Sequence, residues 1–144
     1  MQQESKNKTD PGKFLKLPKN KRILSIPQVP ISLNQQERMH WSKWHKIKEA
    51  WIQDIFYLLK EHGQTKIPSN LEHIKITKIK IYFDCIRTRD ESNYEPMIIK
   101  PLLDALIYGK IIANDTAQYV TRPAGPVEIE IDRGRPRTEV TLEW

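Results

Sequence analysis

The hydrophobic pattern along the chain changes period several times, and each change marks an element. Residues 23–31 (I-L-S-I-P-Q-V-P-I) predict a short first strand, which Pro27 and Pro30 confine to a sheet edge or a strand end. From Ser42 to Glu61, Trp44, Ile47, Trp51, Ile55, Leu58 and Leu59 recur at spacings of three and four, the stripe of an amphipathic helix. Ser42 is placed to cap that helix and His62-Gly63 to end it. The stripe reads as core, with Trp44 anchoring the helix. Ile74 to Ile86 is β-branched and aromatic and reads as the strongest strand. Its alternation changes phase: Ile74 and Ile76 share one parity, Ile79, Ile81 and Phe83 the other. A bulge near Thr77-Lys78 would bring both sets to one buried face. Asn93 to Ile107 predicts a second helix, with Pro96 in its first turn and Pro101 expected to kink it or break its hydrogen-bond ladder. After a turn at Gly109, Ile111-Ile112-Ala113 reads as a short strand, and Thr116 to Thr121 as a possible continuation. Two further alternating runs, Val127–Ile131 and Val140–Trp144, are expected to pair as a hairpin around the basic turn Arg133-Gly-Arg-Pro-Arg137. The order β–α–β–α–β–β–β implies a single α+β domain, a small mixed or antiparallel sheet packed against two helices.

Charge divides the chain unequally. The net charge is +6, and residues 1–25 carry seven cations against Glu4 and Asp10, so five of the six net charges lie there. Residues 1–22 are polar and aperiodic and are expected to form a disordered basic tail before a domain at 23–144. A basic balance favours nucleic acid or another polyanion as partner. The folded part is nearly neutral, so any DNA surface on it requires clustered cations. Lys43, Lys46, Lys48 and Lys60 on the first helix and Lys75, Lys78 and Lys80 on the long strand are candidates. The single cysteine, Cys85, excludes an internal disulfide and a Cys-rich zinc site, and is expected to be buried in its strand. No apolar run reaches membrane-spanning length and the N-terminus lacks a secretory h-region, which fits a cytoplasmic protein without a membrane partner.

The candidate chemistry is concentrated between Arg87 and Val120. Arg87 and Arg89 flank the acidic pair Asp90-Glu91; the polar turn Ser92-Asn93 opens a helix carrying Lys100 and Asp104; Asn114-Asp115 follows the Gly109 turn. Carboxylate oxygens are hard ligands suited to Mg²⁺, and a lysine neutralises phosphate charge. Asp90 and Asp115 are the best ligands in the sequence, with Arg87 and Arg89 placed to hold flanking phosphates. Lys100 and Asp104 are four apart, on one helix face, and also read as a surface ion pair.

This stretch resembles the RusA family of Holliday junction resolvases. The matching residues are Arg87, Arg89, Asp90, Asn93, Lys100, Asp104-Ala105-Leu106, Gly109, Asn114 and Asp115, with a weaker match upstream through Pro27, Pro30, Ser32-Leu33-Asn34 and Arg38-Met39-His40-Trp41. The family's second aspartate stands here as Ser92, which leaves Glu91 or Glu95 to supply a further carboxylate. The resemblance implies a homodimeric, Mg²⁺-dependent endonuclease that cuts four-way or branched DNA symmetrically. Asp90, Asp115 and Glu91 would be the metal ligands, Lys100 would act with them in catalysis, and Arg38, His40, Arg87, Arg89, Asn93 and Lys100 would contact DNA. Two alternatives stay open: a relative that binds branched or duplex DNA without cutting, and a small interaction module with a vestigial acidic site.

Overall fold

The longest alternating run forms the middle of the sheet. In a computed structural model, which describes residues 20–61, 66–87 and 89–144, Ile74–Phe83 is strand β2. Ile74, Ile76, Ile79, Ile81 and Phe83 are all buried. The phase change is accommodated where the pattern requires it: the pairing with the last strand, β5 (Arg137–Glu143), shifts between Ile76 and Lys78. Thr77 is the extra residue, and its hydroxyl donates to the Thr141 carbonyl. Strand β1 (Lys21–Ile26) pairs antiparallel with the other edge of β5. On the far side of β2 lie two short parallel strands, β3 (Val120–Thr121) at its start and β4 (Glu128–Ile131) at its end. Among the described residues the sheet is thus five-stranded and mixed, and with its helices it forms one α+β domain.

The expected hairpin of the last two strands does not form. β4 pairs with β2, and the Asp132–Arg135 turn carries the chain across the end of β2 so that β5 pairs on the opposite side. The Asp132 N–H donates to the Phe83 carbonyl, which fixes the crossing, and the Asp132 carboxylate accepts from the Gly134 and Arg135 N–H groups and from Arg137. Arg137 also bonds Glu139 and lies 3.7 Å over the Tyr82 ring. Ile111-Ile112-Ala113 is not a strand. Ile111 and Ile112 are nevertheless buried, and the Asn70 and Leu71 N–H groups bond the Lys110 and Ile111 carbonyls.

Helix α1 (Leu33–Glu37) is a short turn closed by a capping box between Ser32 and Gln35. Helix α2 (Trp41–Leu59) is capped by His40 rather than Ser42, because the His40 Nδ1 accepts from the Ser42 N–H. Trp51, Ile52, Ile55 and Leu59 are its buried positions; Trp44 is only half-buried, so the core anchor lies two turns later than expected. The expected stop at His62-Gly63 lies outside the described residues. Helix α3 (Glu95–Tyr108) follows a 3₁₀ turn over Glu91–Asn93 and stays helical through the buried Pro101. Ile98, Leu102 and Leu106, four apart, are fully enclosed, each worth about 2 kcal/mol of apolar burial. At its end the left-handed residue is Lys110 (φ 61°), not Gly109. Glycine at 109 serves close approach instead: a Cβ there would stand 3.3 Å from the Ala105 carbonyl and 3.5 Å from the Phe56 ring.

The expected tail also ends earlier than the charge pattern suggested. Residues 1–19 lie outside the described part, but Lys21 and Arg22 belong to β1. Arg22 is 1% exposed; its guanidinium donates to the Leu59 carbonyl at 3.1 Å and to the Leu58 carbonyl, closing the C-terminal end of α2. Burial pushes its pKa down, and the Glu61 carboxylate opposes that shift. Cys85 lies past the end of β2 and is exposed, contrary to expectation.

These contacts set the direction of every element. β1 and β2 are both antiparallel to β5, so they run the same way. α2 runs against β1: Asp54 accepts from Gln28 just past the end of β1, and Leu58 and Leu59 meet Arg22 at its start. α3 runs against β2, and its end packs on that of α2 through the edge-to-face rings of Phe56 and Tyr108. The starts of both helices therefore gather at the end of the molecule where β1 and β2 finish. No helix among the described residues is long and apolar enough to cross a membrane.

Candidate functional site

α3 buries most of its circumference and leaves one row open. Pro96, Lys100 and Tyr108 are exposed and Asp104 half-exposed, at the four-residue spacing of a single helix edge. Beside this edge the loop after α3 and the residue after β3 form the far wall of a cleft of about 430 Å³. Its polar lining is Glu95, Lys100, Asp104, Asp115 and Arg122, over a floor of Pro96, Ile99 and Leu103. Lys100 and Asp104, one turn apart on α3, thus share a surface with Asp115 from the following loop, and with Glu95 and Arg122. Arg122 was not singled out in the sequence, where it stands inside a proline–glycine break; its signal was only a lone cation just after a short strand.

The far wall is pinned from the sheet. His73, just before β2, bonds the Gln118 carbonyl through Nδ1 at 2.8 Å and the Thr121 hydroxyl through Nε2 at 2.6 Å. The Asn114 side-chain oxygen accepts from the Asp115 N–H at 2.7 Å, which shapes the turn without engaging the Asp115 carboxylate.

Asp90 sits at the start of the 3₁₀ turn and is not part of the cleft lining. Its Oδ1 accepts from the Ser92 hydroxyl at 2.7 Å and from the Ser92 N–H at 3.0 Å, an N-cap arrangement. These two bonds, the hydroxyl's first, hold the Asp90 carboxyl below the usual aspartate range. Both of Ser92's bonds fall on Oδ1, so neither uses Oδ2. Glu91 and Ser92 are exposed on the same turn and Asn93 is half-buried. Arg89 turns back along the chain: it donates to the Cys85 carbonyl at 3.0 Å and lies 3.7 Å over the Phe83 ring, which itself packs edge-on against Tyr94. Arg87 is exposed. Arg38 and His40 lie before α2 and outside the cleft lining.

No protein-family model matches the chain, and no curated protein matches it either. Among the described residues no three His, Cys, Asp or Glu side chains stand close enough together to hold a metal ion. The donor chemistry of the cleft nevertheless suits Mg²⁺. That ion is usually held by one or two carboxylates and completed by waters and substrate phosphate, not by an all-protein cage. Asp115, with Glu95 and Asp104 on the same surface, supplies the oxygen type it prefers, and Lys100 and Arg122 supply the cations that a phosphate needs.

Proposed function

We propose that this chain is a Mg²⁺-dependent endonuclease of the RusA type, which acts on four-way or branched DNA as a homodimer. The observation that carries the reading is the cleft along α3, where Lys100 and Arg122 stand among Glu95, Asp104 and Asp115. Mixed charge of this kind suits a phosphodiester: the cations take the phosphate, and the carboxylates take a hard cation. Asp115, with Glu95 and Asp104 on the same surface, would hold the metal within the cleft; Asp90 and Glu91, which the resemblance also assigns to it, lie outside the cleft lining and would have to approach it on binding. Mg²⁺, when bound, supplies Lewis-acid chemistry, an acidified water and charge relief on the phosphate oxygens. The protein's own part is positional. Lys100 holds the scissile phosphate by charge, Arg122 fixes it from the opposite wall, and His73 keeps that wall in place. Two symmetric incisions require two such clefts, which a two-fold dimer provides.

The test is cleavage of a labelled four-way junction with and without Mg²⁺, alongside light scattering for the oligomeric state. Symmetric, metal-dependent incision by a dimer is the expected result. A second reading, binding without cutting, is favoured by Ser92 in the place of the family's aspartate and by the lack of a ready three-ligand group among the described residues. Tight junction binding with no incision at any Mg²⁺ concentration would decide for it.

A further inference from the structure

The turn between β4 and β5 carries charge that the cleft does not use. Its one acid, Asp132, is engaged within the turn: the carboxylate accepts from the Gly134 and Arg135 N–H groups, each at 3.1 Å, and from the Arg137 guanidinium at 2.7 Å. Arg137 closes the brace by donating to the Arg135 carbonyl at 3.0 Å, and its own charge is met by Asp132 and Glu139. Arg133 and Arg135 are left over. Both are exposed, and among the described residues neither guanidinium has a hydrogen-bond, ion-pair or ring partner. The lysines of the adjoining strand are treated otherwise: Lys78 pairs with Glu128 and Lys80 with Glu130.

The position of the turn is fixed as well as its shape. The Asp132 N–H bonds the Phe83 carbonyl, and the Phe83 ring packs on Tyr94, so the turn and the start of α3 meet at one residue. β3 and β4 lie on the same edge of β2, and the turn therefore continues the edge from which Arg122 emerges. The Lys75–Thr121 and Phe83–Ile131 pairs are separated by about 26 Å of strand, the axial length of about eight base pairs.

We propose that Arg133 and Arg135 form a phosphate clamp, a second contact for the backbone of the duplex arm that leads out of the cleft. The inference rests on the reading of the cleft as a DNA site and extends it to a surface outside the cleft lining. A guanidinium is a planar fork that matches two phosphate oxygens at once. Two such forks on a braced turn, with no acid between them, suit the repeating charge of a nucleic-acid backbone. An acidic peptide would satisfy the same forks, but the shared sheet edge aligns them with the cleft and so favours the duplex. A phosphate contact reads neither base nor branch, so the clamp adds affinity and register, not selectivity.

The experiment is salt-dependent binding of wild type, the double variant Arg133→Gln/Arg135→Gln and Lys100→Ala to a four-way junction and to a linear duplex. The double variant should bind both DNAs about tenfold more weakly and lower the slope of log affinity against log salt by about two. Neutral methylphosphonates placed singly along one arm should weaken wild type about eight base pairs out, and should have no effect there on the double variant. An unchanged slope in the double variant, with a lowered one in Lys100→Ala, overturns the clamp and leaves the cleft reading standing. A dimer that becomes a monomer in the double variant also overturns it, and assigns the turn to a second copy of the chain. Failure of wild type to bind either DNA overturns both.

Discussion

The two acidic turns of this protein bear the same residue type and treat it differently. Asp115 follows an asparagine that bonds its backbone N–H, and its carboxylate lines the cleft opposite Lys100 and Asp104. Asp90 is engaged by its own neighbour: Ser92 donates twice to Oδ1, which caps the 3₁₀ turn leading into α3. One aspartate thus lines the cleft, and the other caps a turn outside the cleft lining. Ser92 accounts for the difference. Where a carboxylate would repel Asp90 and require a cation between them, the hydroxyl stabilises it alone. The turn is therefore held by its own side chains.

Separating charge from capping gives the largest expected effects. Asp115→Asn should lower Mg²⁺-dependent junction cleavage at least about 100-fold, because a carboxylate ligand is lost, and should leave the melting temperature unchanged. Asp90→Asn should lower cleavage as far, and also spare stability, since an asparagine side-chain oxygen still caps the turn. Asp90→Ala should add a fall in melting temperature, because the cap is gone. Full cleavage by Asp90→Asn would reduce Asp90 to a cap and leave Asp115 as the ligand.

Ser92→Asp tests the same comparison from the other side. Without metal the variant should melt lower than wild type, because the donor hydroxyl is replaced by a second negative charge beside Asp90. Mg²⁺ should reverse that loss and bind about tenfold tighter than to wild type, as read by the shift of melting temperature with Mg²⁺ concentration. A variant that is destabilised equally with and without Mg²⁺ would show that the turn does not face a metal position.

How far the sequence discloses all this depends on the range of the forces involved. The bulge at Thr77 was legible because strand parity is a local property, and Ile76 and Ile79 cannot otherwise share a face. That Lys100 and Asp104 share one edge of α3 was legible for the same reason, as a four-residue spacing. The hairpin of β4 and β5 was misread because sequence neighbours usually pair. Here the Asp132–Arg135 turn is tied to Phe83 and crosses the end of β2. Arg22 was taken for tail because its reason for burial, the open carbonyls of Leu58 and Leu59, lies some 36 residues away. Cys85 looked internal because β2 was extended by three residues beyond Phe83. Arg122 and His73 acquire meaning only once β3 docks beside the start of β2, a parallel pairing that no local pattern announces.

The two walls of the cleft differ in a smaller way that salt resolves. Lys100→Ala and Arg122→Ala should each weaken junction binding several-fold and reduce the slope of log affinity against log salt by about one, the signature of one phosphate contact. If the contacts are shared by one phosphate, the double variant should lose less than the two single losses combined. Unchanged slopes in both single variants would remove the cleft from the DNA interface.

The smallest effect is the most specific to the Asp90 turn. Its carboxyl is held below the ordinary aspartate value of 3.8 by Ser92, so the ionised form is favoured by folding. A group depressed in the folded state contributes stability above its unfolded pKa and loses it as pH falls through the folded one. Asp90→Asn has no such proton to gain. The melting temperature of wild type relative to this variant should therefore be constant from pH 7 to pH 5 and decline only below about pH 4, where the Asp90 cap is neutralised. Asp132 is depressed as well, chiefly by its bond to Arg137, and it titrates in the same window in both proteins, so its contribution cancels in the difference. A difference that is flat down to pH 2 would mean that Ser92 holds the neutral and ionised carboxyl equally, and the 3₁₀ turn would then owe its shape to Tyr94 packing on Phe83 instead of to the cap.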